Sequence, residues 1–142
     1  SKVELVRRLP LFADLDARAA RRLARALSTA HADPGEALMR PGETVRDVTF
    51  IASGAVEIET AGVAHRLGPG EMFGQMAILG RRRRRTEARA LTHCTLLRLD
   101  EARFQRLLRA SAALRAAVEA SAEKRGVTLP DLGAAPSGAR AP

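Results

Sequence analysis

The chain has no tryptophan and no tyrosine, and its four phenylalanines make aromatics 3% of 142 residues. Single-stranded nucleic acid is recognised by stacking bases on aromatic platforms, so no direct nucleic-acid partner is expected. The lone cysteine, Cys94, allows no intrachain disulfide and no cysteine-rich zinc site. His31, His65 and His93 are far apart and lack ligand spacing, so neither a metal nor a cofactor is expected. No acid–base pair or activated nucleophile is legible, and Ser53 stands in no Gly-x-Ser-x-Gly elbow. The chain is therefore read as no enzyme. No apolar run reaches about 18 residues and no signal peptide opens the sequence, which predicts neither a membrane span nor secretion. Its first residue is Ser1 rather than Met, which predicts a part excised from a larger parent.

What remains is enough for one folded domain. Hydrophobic residues make up 46% of the chain and charged residues 28%, a balance that can bury a core. The net charge of +8 attracts polyanions or a phosphate ligand without naming either. Arg7, Arg8, Arg18, Arg21, Arg22 and Arg25 read as solvated helix faces, and Arg81–Arg85 as an exposed basic run suited to an acidic membrane surface.

Residues 1–8 read as a leading helix or linker. Asp14 or Asp16 can cap a helix from Ala17 to Ser28, where Ala20, Leu23, Ala24 and Leu27 recur at helical spacing opposite arginines. Over the next sixty residues glycines punctuate short apolar runs. Val48, Phe50 and Ala52 alternate with Thr49, Ile51 and Ser53, and Val56–Ile58 alternates again. Ala88 to Leu99 forms a second strand group. Asp100 caps a helix to Arg109, and a longer one follows from Ala112 to Arg125, with Leu114, Ala117, Val118 and Ala122 on one face. The fold class is mainly β with flanking α. It is an eight-stranded, jelly-roll-like β-roll with an N-terminal helix and two C-terminal helices. The domain is expected over 9–126, with a disordered Ala/Gly/Pro tail over 127–142.

Pro34-Gly35-Glu36, Gly42-Glu43 and Ile51-Ala52-Ser53-Gly54-Ala55-Val56 resemble the glycine framework of the cyclic-nucleotide-binding domain family. Leu67-Gly68-Pro69-Gly70-Glu71-Met72-Phe73-Gly74-Gln75-Met76-Ala77-Ile78-Leu79 is similar to its phosphate-binding cassette, and Arg89-Ala90-Leu91-Thr92 to the strand beyond it. The resemblance covers roughly residues 9–125 and implies a ligand site. Registered on Arg89–Thr92 without a gap, it puts the phosphate arginine at Arg84, with Arg85 as the alternative where Ser or Thr is usual. Phe73, Gly74, Gln75, Met76 and Ala77 form the cassette, Ile58 the apolar wall for the base, and Lys124 and Arg125 a lid.

The chemistry suits a cyclic mononucleotide, cAMP or cGMP. A phosphodiester in a partly dehydrated pocket needs pairing, and an arginine fork provides it. A glycine lets backbone approach, and the first amides of a helix supply further donors. Gln75 stands where the family has Glu. It keeps an acceptor for the ribose hydroxyl but loses charge, a loss on the order of 1 kcal/mol.

The resemblance implies a sensor domain, the cytoplasmic C-terminal part of a cation channel or a cation/proton antiporter. Its partner would be the membrane transport domain of the same polypeptide, at the cytoplasmic face of the cell membrane. Two alternatives stay open: a degenerate, non-binding interaction module, and the sensor fragment of a transcription regulator.

Overall fold

The computed structural model describes residues 1–80 and 86–124. Helix α1 (Lys2–Arg8) leads through a 3-10 turn (Pro10–Phe12) to α2 (Ala17–Ala26). Six strands follow: β1 (Ser28–Ala32), β2 (Ala37–Met39), β3 (Asp47–Ser53), β4 (Val56–Thr60), β5 (Val63–Leu67) and β6 (Met72–Phe73). A short helix α3 (Gln75–Gly80) precedes β7 (Thr86–Ala90) and β8 (Cys94–Asp100), and α4 (Glu101–Ala110) and α5 (Ala112–Lys124) follow. The eight strands form two antiparallel sheets, ordered β1-β8-β3-β6 and β2-β7-β4-β5. This is the β-roll with N- and C-terminal helices that the sequence implied. The expected tail over 127–142 lies outside the described residues.

Local chemistry sets the helix ends. The Asp16 carboxylate accepts from the Ala19 amide at 2.8 Å and the Asp100 carboxylate from the Arg103 amide at 2.9 Å, each replacing a carbonyl the first helical turn lacks. Ser111 does the same for α5, accepting from the Leu114 amide at 3.1 Å. Helix α2 ends at Ala26 rather than Ser28, because Ser28 pairs with Arg98 as the first residue of β1. The tertiary ladder overrides what is a continuous helical pattern in sequence.

Two apolar clusters share the sheets between them. One lies inside the roll, where Ile51, Phe73 and Leu96 of the first sheet meet Val56, Ile58 and Ala88 of the second. The other joins the first sheet to the helices, with Phe50, Leu97 and Leu99 packed on Leu23, Phe104, Leu114 and Val118. The Phe12 and Phe50 rings meet edge to face at 5.4 Å and fix the 3-10 turn on β3. Val6 of α1 is fully buried in this cluster, and Lys2 donates to the Leu27 carbonyl at 2.9 Å, so the leading helix belongs to the core.

Strand β3 holds the alternating residues, and Val48, Thr49, Phe50 and Ile51 are all buried. It lies between β8 and β6 with helices on one face and the second sheet on the other, so neither face meets water. The β4–β5 hairpin turns on Ala61 and Gly62, both with positive φ (53° and 80°). Two such residues match the twist of paired strands.

Candidate functional site

The cassette begins where β5 ends. The Gly68 amide donates to the Glu71 carboxylate at 2.7 Å, while the Gly70 amide donates to the Ile51 carbonyl at 2.8 Å and the Ile51 amide to the Glu71 carbonyl at 2.9 Å. The loop is thereby fixed to the middle of β3. Strand β6 pairs Phe73 with Thr49 and Met72 with Phe50, which sends Phe73 into the roll and Met72 toward the helices.

Gly74 then reverses the chain at φ +94°, a conformation that side chains resist. A Cβ there would lie 2.7 Å from the Asp47 carbonyl oxygen. The sequence reading gave Gly74 the task of letting backbone approach a ligand. In the structure the close approach is to β3 itself, which is reason enough for glycine.

The turn opens α3. Ile78 donates to the Gly74 carbonyl at 3.3 Å, and the amides of Gln75, Met76 and Ala77 precede any carbonyl four residues back within the helix. Met76 is buried and Ala77 half-buried. Ile58, at the middle of β4, is buried in the same roll cluster as Phe73, so the structure brings these two together.

Gln75 is fully buried. Its Nε2 donates to the Ser121 hydroxyl of α5 at 3.2 Å, and its Oε1, equally enclosed, accepts no hydrogen bond among the described residues. Sequence reasoning missed Ser121. The signal was present, since Ser121 falls seven residues after Leu114 and three after Val118 on the buried stripe of α5. A hydroxyl within an apolar stripe needs a polar reason, and Gln75 is that reason.

Arg84, Arg85 and Arg125 lie outside the described residues. Lys124 is the last residue of α5, one turn beyond Ser121. Among the described residues no group of His, Cys, Asp or Glu could hold a metal ion, and no helix is long and apolar enough to cross a membrane. His31 on β1 and His93 just before β8, remote in sequence and both exposed, stack at 6.0 Å.

A sequence model described as the cyclic nucleotide-binding domain matches residues 29–111. A protein of Rhodopseudomonas palustris, provisionally named a potassium channel, is 36% identical over 108 residues, covering 73% of this chain and 26% of that protein. The human potassium/sodium hyperpolarization-activated cyclic nucleotide-gated channel 2 is 32% identical over 123 residues, covering 86% of this chain and 14% of the channel. The chain thus spans only a minor part of these relatives. Among solved structures, one described as PKAR CBD2 with Sp-2Cl-cAMPS bound superposes with a TM-score of 0.71 at 21% identity, over 88% of this chain and 89% of the other.

Proposed function

The chain belongs to the cyclic nucleotide-binding domain family, whose model matches more than half of it, and from that premise we propose that it is a ligand sensor and not an enzyme. It takes cAMP or cGMP at the cassette. The observation that carries this reading is the enclosed Oε1 of Gln75, an acceptor without a donor among the described residues. Leaving such an atom unpaired costs about 1–3 kcal/mol, and a sugar hydroxyl entering the site offsets that cost. The phosphodiester lies against the first amides of α3, with Arg84, or else Arg85, as its counter-charge. Ile58 and Phe73 form the apolar wall, Gly74, Met76 and Ala77 shape the floor, and Lys124 with Arg125 closes the end.

The sensor serves a larger protein. Its partner is the transport domain of a cation channel or cation/proton antiporter on the same polypeptide, and the domain works at the cytoplasmic face of the membrane. The channel names of the relatives support this context. An acidic membrane surface is a further partner. Its support is a stripe on α2, where Arg18, Arg21, Arg22 and Arg25 recur at i, i+3, i+4 and i+7. All four are exposed, opposite buried Ala20, Leu23 and Ala24, and none has an ion-pair partner among the described residues. Like charges so spaced repel by a few tenths of a kcal/mol per pair, and an anionic surface relieves that repulsion.

Calorimetric titration with cAMP, cGMP and 2′-deoxy-cAMP tests the sensor reading. Heat and a thermal shift are expected with the first two, and weaker binding with the deoxy analogue. No binding by millimolar ligand rejects the reading and leaves a non-binding interaction module.

A further inference from the structure

Gln75 connects two parts of the molecule that are 46 residues apart in the chain. Its side chain leaves the first position of α3 and meets α5 at Ser121. Leu114, Val118 and Ala122 seat α5 through apolar contact, and at Ser121 the same stripe turns polar where it passes Gln75. The amide is therefore half used: its donor end holds α5, and its acceptor end is enclosed without a donor among the described residues.

We propose that Gln75 and Ser121 form a single relay in which one amide senses the ligand and seats the last helix. The proposal rests on the sensor reading above and assigns Ser121, which touches no ligand in this scheme, as a positioning residue. The two ends of the amide do not compete. A ligand hydroxyl donates to Oε1 while Nε2 continues to donate to Ser121, so binding leaves the helix contact intact. Each bond strengthens the other, because an amide whose oxygen accepts a hydrogen bond is a better donor at its nitrogen. Occupancy thus tightens α5, and a seated α5 holds Gln75 in the orientation the ligand needs.

The relay also accounts for glutamine at this position. A carboxylate offers only acceptors. With Glu at position 75 the Ser121 hydroxyl would have to donate, and helix and ligand would both supply protons to one buried charge. The amide instead gives in one direction and takes in the other. On this account Gln75 is suited to a domain whose last helix is seated before ligand arrives.

The test is a double-mutant cycle on the full chain with two readouts. Affinity for cAMP and cGMP is measured for S121A, Q75A, S121A/Q75A and S121T. Amide hydrogen exchange of residues 114–122 is measured for the same proteins without ligand, with thermal unfolding to verify that each is folded. S121A is expected to weaken binding about threefold to tenfold, as for loss of one hydrogen bond, and to speed exchange at the end of α5. Adding it to Q75A is expected to change neither readout further, and S121T is expected to restore both. Additive losses in the cycle, or wild-type exchange in S121A, overturn the relay. A wild-type chain that binds no cyclic nucleotide overturns the sensor reading and the ligand half of the relay together, and the exchange cycle still decides the helix half.

Discussion

Replacing Gly74 with alanine separates two reasons for a glycine at the head of the cassette. The backbone there sits at φ +94°, and forcing an L side chain into left-handed backbone costs about 1–2 kcal/mol. The new Cβ would also come within 2.7 Å of the Asp47 carbonyl oxygen, so one of the two must move by several tenths of an ångström. Asp47 cannot yield freely, because it starts β3 in register with Asp100, the residue that caps α4. Displacing packed backbone adds about 1–3 kcal/mol, so G74A is expected to lose about 2–5 kcal/mol in total. Gly62 is the control: its φ of +80° is similar, but a Cβ there meets nothing within 4 Å. G62A should lose only the conformational part, about 1–2 kcal/mol. Urea unfolding of both variants, at unchanged denaturant dependence, gives the comparison. If G74A is no less stable than G62A, the contact with β3 is not what requires glycine. A G74A protein that keeps its stability but loses nucleotide affinity would assign that glycine to the ligand instead.

Three further outcomes follow from the same coordinates. The Arg103 backbone amide, the Arg103 side chain and nearby positive charge hold Asp100 below its ordinary value of 3.8. Its charge therefore stabilises the fold above that value and stops doing so as pH falls through the lowered one. The stability gap between wild type and D100N should be constant near neutrality and shrink in acid below pH 3.8, whereas D100A should cost about 1 kcal/mol at pH 7 through loss of the cap. At the β4–β5 turn Ala61 holds φ +53°, so A61N should raise stability by up to about 1 kcal/mol in thermal unfolding, and an unchanged midpoint would contradict the turn assignment. Finally, R21E/R22E should abolish sedimentation with vesicles containing phosphatidylserine while leaving nucleotide affinity unchanged; wild-type binding that is equal on neutral vesicles, or that goes to single-stranded RNA instead, removes the membrane role of the α2 stripe.

Much of this protein was legible residue by residue. Asp14 or Asp16, and Asp100, announce helix starts because a short carboxylate can reach the first turn's amides, and the structure uses Asp16 and Asp100. Leu67–Leu79 is similar to the family's cassette, and Gly74 within it turns the chain at φ +94°, where a side chain would be strained. Such features depend on a few neighbouring atoms, and local sequence determines them. What depends on distant partners was not legible. Ser28 looked helical and became a strand because β8 supplies its hydrogen bonds. The alternation in β3 marked a strand but not its burial: Val48 to Ile51 are all buried because helices cover one side of the first sheet and the second sheet covers the other. Gln75 could be recognised as an acceptor from its type alone. Its second task, holding α5 through Ser121, exists only because the fold brings together residues that the chain keeps 46 positions apart. Sequence determined which groups could donate or accept, and the tertiary structure decided which of them meet.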